Sequence, residues 1–94
     1  MYKTILVVDD EESICQSLRG ILSDEGYEVR TAGSGEDALK AIEEDVPDLV
    51  LLDIWLPGMD GLEALKIIKA ETPQVPVIMM SGHGSVEAAV EATR

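Results

Sequence analysis

The sequence predicts a doubly wound α/β domain, a parallel sheet with helices on both faces. Short continuous apolar runs alternate with stretches of helical spacing, which is the pattern of successive βα units. The runs Ile5 to Val8, Leu49 to Leu52 and Val77 to Met80 are apolar at consecutive positions, as strands covered on both faces must be. At 94 residues the chain has room for one hydrophobic core, so residues 1–94 are read as a single domain.

The first strand is expected at Thr4 to Asp9, followed by a helix from about Glu12 to Glu25 with Ile14, Leu18, Ile21 and Leu22 inward. Gly26 ends that helix, because glycine adopts the left-handed backbone at C′ without steric cost. Tyr27 to Ala32 alternates, with Tyr27, Val29 and Thr31 on one face and Glu28 and Arg30 on the other, which suits an edge strand. A second helix spans about Gly35 to Glu44, with Ala38, Leu39 and Ile42 inward. Pro47 then punctuates the chain before Leu49 to Leu52, a run too continuous for a half-exposed strand and therefore central. After the turn Leu56 to Gly61 a third helix runs to about Glu71, with Leu62, Leu65 and Ile68 inward, and Pro73 and Pro76 lead into the strand Val77 to Met80. A weak alanine-rich helix is expected from about Ser85.

Right-handed crossovers place these strands in the order 2-1-3-4, and a fifth strand would complete the flavodoxin-like order 2-1-3-4-5. Val77 to Met80 is apolar on both faces, so a further strand is expected beyond Arg94, and its lack here would leave an exposed apolar edge.

Composition narrows the class. The chain is 46% apolar and 28% charged, a globular balance, and its apolar runs fall far short of the ~20 residues of a membrane helix. Met1-Tyr2-Lys3 lacks the layout of a signal peptide, so a cytoplasmic protein is expected. The single cysteine, Cys15, fits a reducing compartment and a core-packing role. A net charge of −12 disfavours nucleic acid and anionic membranes and points to cations or basic surfaces as partners.

In open α/β sheets ligands bind at the carboxyl ends of the strands where strand order reverses, here between the first and third strands. Those strands end in Asp9-Asp10 and in Asp53. Three carboxylates in one crevice repel each other, which raises a pKa or calls for a hard cation with oxygen ligands; Mg²⁺ is the natural candidate. Glu11 and Glu12 are adequately explained by the helix dipole, and Asp10 alone could be an N-cap. Asp53 has no helix beginning beside it, and an apolar strand has little structural reason to end in an acid. Ser81 ends the fourth strand next to Asp53, and Gly82 and Gly84 leave neighbouring amides bare, a receptacle for a phosphoryl group. His83 has no predicted partner and reads as a loop residue.

These residues together resemble the receiver domain of two-component response regulators. The resemblance rests on Asp9-Asp10 after Ile5 to Val8, Asp53 after Leu49 to Leu52, Leu56-Pro57-Gly58-Met59-Asp60-Gly61, and Ser81 after Met79-Met80. Asp53-Ile54-Trp55-Leu56-Pro57-Gly58 and the loop Ser81 to Ser85 further resemble nitrogen-regulation regulators of the enhancer-binding class. The resemblance implies Asp53 as phosphoacceptor from a sensor histidine kinase. It implies Mg²⁺ held by Asp10 directly, by Asp9 through water, by Asp53 and by the backbone carbonyl of Trp55. Ser81 would donate its hydroxyl to the phosphoryl group and act as the switch, Pro57 and Gly58 would shape the loop, and Gly61 would open the third helix. Such a module is not an enzyme in the turnover sense; it promotes its own phosphorylation and dephosphorylation and controls an output such as transcription.

The family pattern also has a lysine ending a fifth strand, and none of Lys3, Lys40, Lys66 and Lys69 holds that place. A non-signalling fragment, or a homodimer or strand exchange through the fourth-strand edge, therefore stays open. A haloacid-dehalogenase-like phosphotransferase would need an aspartate where Trp55 stands. A dinucleotide-binding domain would need glycines where Asp10-Glu11-Glu12-Ser13 stands.

Overall fold

The computed structural model describes residues 3–80. Its elements run β1 (Thr4–Val8), α1 (Glu12–Asp24), β2 (Glu28–Ala32), α2 (Gly35–Glu44), β3 (Leu49–Asp53), α3 (Gly61–Glu71) and β4 (Val77–Met80). The strands form one sheet in the order β2-β1-β3-β4, every pair parallel. This is the doubly wound order expected from the chain. The helix expected from Ser85 lies outside the described residues.

Period-2 alternation divides the core between the two sheet faces. Leu6, Val8, Val50, Leu52, Val77 and Met79 pack with Ala38 and Ile42 of α2 and with Ala64, Leu65 and Ile68 of α3. Ile5, Val7, Leu49, Leu51 and Met80 pack with Cys15, Leu18 and Leu22 of α1. One face thus carries two helices and the other carries α1 among the described residues. Ile78, on the α1 side of β4, is 44% exposed, as expected for an apolar strand at the end of the sheet order.

Local chemistry sets the helix ends. Ser34 caps α2 by accepting from the Asp37 amide at 3.0 Å, and Asp60 caps α3 by accepting from the Glu63 amide at 2.8 Å. Gly26 has φ +93° just past α1, and its amide donates to the Ser23 carbonyl at 3.0 Å. Arg30 ties β2 to the end of α2 by donating to the carbonyls of Ala41 and Asp45 at 2.8 and 2.7 Å.

Two inward assignments need correction. The buried residue of α1 is Cys15, flanked by half-buried Ile14, Leu18 and Leu22, whereas Ile21 is 61% exposed. Cys15, Leu18 and Leu22 sit at i, i+3 and i+7, and Ile21 falls off that stripe. In α3 the stripe is Gly61, Ala64, Leu65 and Ile68, the same spacing, and Leu62 is 50% exposed beside it. Cys15 is the one buried residue of α1, and in α3 the small residues Gly61 and Ala64 are buried together with Leu65 and Ile68.

The corrected stripes make a stability contrast. Ile68→Ala should lower the unfolding free energy by about 2–5 kcal/mol, through lost transfer energy and the cavity left behind. Ile21→Ala should stay within about 0.5 kcal/mol of the parent. Urea denaturation followed by far-UV circular dichroism measures both.

Candidate functional site

Parallel pairing of β1 with β3 places Val8 opposite Leu52, so the next residue of each strand, Asp9 and Asp53, arrives at the same sheet edge. Parity puts both on the α1 face, continuing Ile5 and Val7 on one strand and Leu49 and Leu51 on the other. The two carboxylates and that of Asp10 lie within 4.8 Å of one another. Asp9 and Asp53 are buried, at 5% and 7% exposure, and Asp10 is exposed. They open into a cleft of about 990 Å³ that is also lined by Ile14, Ser17 and Leu18 of α1, Trp55 and Met80.

Each buried acid is held by a backbone amide two residues further on. Asp9 Oδ1 accepts from the Glu11 amide at 2.9 Å, and Asp53 Oδ1 accepts from the Trp55 amide at 3.1 Å. The backbone is tied as well, since the Asp9 amide donates to the Ala32 carbonyl at 3.0 Å and the Ile54 amide to the Met80 carbonyl at 2.9 Å. The backbone at Asp9 is thus tied to β2, and that following Asp53 to β4.

Among the described residues no cation compensates the charge of this site. Among the described residues the one ion pair is Arg30 with Asp45, at 3.9 Å, and it involves none of the three acids. Burial pushes the Asp9 carboxyl above the ordinary range; the Glu11 amide opposes this, while the charges of Asp53, Asp10 and Glu11 add to it. Buried anions of one sign without a partner are costly, and an all-oxygen donor set of this kind fits a hard divalent cation.

The N-cap explanation for Asp10 is not met, because the N-cap of α1 is Glu11, without a side-chain hydrogen bond. Glu12 lies in the first turn of α1, as the dipole reading holds. Trp55 lines the cleft and is 67% exposed as a residue. Leu56, 6% exposed, anchors the following loop in the core, and Gly58 turns it at φ +71°. Lys69 is committed elsewhere, donating to the carbonyls of Val75 and Pro73 at 2.8 and 3.3 Å. Ser81 and His83 lie outside the described residues.

Sequence reasoning passed over Cys15 and Ile14 as site neighbours. The Cys15 thiol donates to the Asp9 carbonyl at 3.4 Å, and burial followed by the nearby Asp9 charge raises its pKa, keeping it an unreactive thiol. Helical spacing from the acidic pair, with Ile14 and Leu18 one turn apart, is the signal that places these residues along the cleft wall.

The sequence matches the family described as the response regulator receiver domain over residues 5–94. The chain belongs to this family. The receiver domain is 53% identical over its whole length to the nitrogen assimilation regulatory protein NtrX of Azorhizobium caulinodans, covering 21% of that protein. It is 49% identical, over 96% of its length, to the transcriptional regulatory protein ZraR of Escherichia coli, covering 20% of it. The chain thus spans about one fifth of the length of these curated relatives. The crystal structure of the receiver domain of NtrX from Brucella abortus superposes with a TM-score of 0.85 at 56% identity, covering 94% of this chain and 75% of that one. The receiver domain is therefore of the NtrX- and ZraR-like kind within two-component systems, and none of its described helices is long and apolar enough to cross a membrane.

The raised Asp9 pKa has a stability consequence with a definite sign. The folded state holds this proton more tightly than the unfolded state does. The group's contribution is therefore most favourable at low pH and declines as pH rises from the ordinary 3.8 through the raised value. In metal-free buffer Asp9→Asn, which keeps an acceptor for the Glu11 amide, should be more stable than the parent at pH 7. That advantage should shrink as pH is lowered through the same interval, as urea midpoints at several pH values will measure.

Proposed function

We propose that residues 1–94 act as one receiver domain in which Asp53 is the phosphoacceptor for a sensor histidine kinase. The observation that carries this is the convergence of Asp9, Asp10 and Asp53 at the β1/β3 switch point, with the nucleophile candidate buried at the end of an apolar strand. In the transfer, a carboxylate oxygen of Asp53 forms a bond to phosphorus as the P–N bond of the kinase's phosphohistidine breaks, leaving an acyl phosphate and free histidine.

The donor set fits Mg²⁺. Asp10 and Asp53 would hold it directly, Asp9 through water, and the Trp55 backbone carbonyl would complete the protein ligands. A bound Mg²⁺ would offset repulsion between the anionic nucleophile and the anionic phosphoryl group. The chain's own part is positioning: the Trp55 amide orients one oxygen of Asp53, burial keeps bulk water from competing, and the rigid β1–β3 pair holds Asp9 alongside.

Phosphorylation replaces a carboxylate by a group of greater charge with more acceptor oxygens. Ser81 would donate its hydroxyl to one of them, and the segment beyond Ser81 would carry the change to an output, transcription control by analogy with the ZraR-type relatives. The setting is cytoplasmic. This segment makes no direct contact with nucleic acid, consistent with its charge of −12. The β4 edge is the surface through which a second copy or an exchanged strand would pair.

Incubation with acetyl phosphate and Mg²⁺, followed by intact-mass measurement, tests the proposal. A single-phosphate adduct is expected in the parent and should be absent from Asp53→Asn and from samples treated with EDTA. An adduct that survives in Asp53→Asn, or a parent that takes no phosphate, would sink it.

A further inference from the structure

Gly61 opens α3, and its amide donates to the Ile54 carbonyl at 3.1 Å. A Cβ built on Gly61 would meet the Asp53 carbonyl oxygen at 2.2 Å, Ile54 Cα at 2.7 Å and the Asp53 carbonyl carbon at 3.0 Å. All three are backbone atoms, so no side-chain rotation relieves the overlap. Gly35, by contrast, would meet side-chain atoms of Met59 at 3.2–3.3 Å, and Gly20 in α1 would meet nothing within 4 Å.

The helix cannot simply withdraw. Ala64, Leu65 and Ile68 pack α3 into the core on the two-helix face, and Asp60 caps its first turn. The other party is the peptide joining Asp53 to Ile54, at the end of the strand that presents the acid. We infer that Gly61 is a positioning residue for Asp53: the missing Cβ lets the first turn of α3 seat against the Asp53 backbone, fixing where its carboxylate stands relative to Asp9 and Asp10. The inference rests on Asp53 being the phosphoacceptor and part of the metal site. It goes further in assigning the geometry of that acid to a helix start on the opposite sheet face.

A Cβ needs about 1 Å more room than the Asp53 carbonyl oxygen leaves. Mg²⁺ demands near-ideal octahedral geometry, and loss of a residue that orients a ligand typically costs 10–100-fold in metal affinity. Misplacement on the order of 1 Å also costs about 100-fold in rate where catalysis depends on positioning.

The test compares the full chain, Gly61→Ala and Ile68→Val, the last a core truncation within α3 away from the acids. Gly61→Ala is also made with Gly20→Ala, whose methyl raises helix propensity in α1 without contact and helps keep the variant folded. Two readouts are taken: Mg²⁺ titration followed by fluorescence of Trp55, the sole tryptophan, and hydrogen exchange of the Trp55 amide without metal. Gly61→Ala should bind Mg²⁺ about 10–100-fold more weakly and lose protection at Trp55, because the Asp53 oxygen that accepts from that amide has moved. Ile68→Val should keep both. Parental Mg²⁺ affinity and Trp55 protection in Gly61→Ala would overturn the inference, as would equal losses in Ile68→Val. A parent that binds no Mg²⁺ would instead defeat the metal-site reading, and Trp55 exchange alone would then decide the role of Gly61.

Discussion

The constraint on which the rest of the structure depends is the parallel pairing of β1 with β3. Each strand ends in an acid, and the register that places Val8 opposite Leu52 brings Asp9 and Asp53 to one edge of the sheet. A slip of one residue in either strand would turn its acid to the other face, away from the other carboxylate, and misfit the side chains packed on both faces. The burial of Leu6, Val8, Val50 and Leu52, all at 0% exposure, therefore holds the register that holds the site. Hydrophobic burial here works against electrostatic repulsion, and burial wins because it is spread over both faces of two central strands.

The site is consequently stable in position while unfavourable in charge. Asp9 and Asp53 each accept one backbone amide, which orients them, and neither has a cationic partner among the described residues. Two amides soften the cost of burying two carboxylates but do not neutralise them. The outstanding negative potential is what a divalent cation would answer, and the proposed transfer of an anionic phosphoryl group to Asp53 would draw on that cation. Cys15 belongs to the same scheme in a quiet way: it fills the space under Asp9 with a neutral thiol and adds no reactive centre.

Much of this was legible in the chain. The continuous apolar runs marked the central strands, the alternation of Tyr27 to Ala32 marked the edge strand, and Asp9, Asp10 and Asp53 marked the carboxyl ends. Ile21 and Leu62 lie outward because helical spacing is satisfied by more than one stripe, and packing on the sheet selects those through Cys15, Leu18 and Leu22 and through Ala64, Leu65 and Ile68. Cys15, Gly61 and Ala64 are buried on these stripes, which large apolar character alone does not reveal. For Asp10 the structural alternative of an N-cap, set aside in favour of a role shared with Asp9 and Asp53, is not taken up, since the backbone path out of β1 makes Glu11 the N-cap.

By itself the sequence determined the order of elements, the strand order and the three acids, because these follow from periodicity and from the handedness of βα crossovers. Only the tertiary structure decided which acids are buried, that no cation among the described residues faces them, and that Gly61 meets the backbone of Asp53. The physical reason is that burial and contact are set by packing between elements distant in sequence, whereas periodicity records only which side of an element a residue occupies.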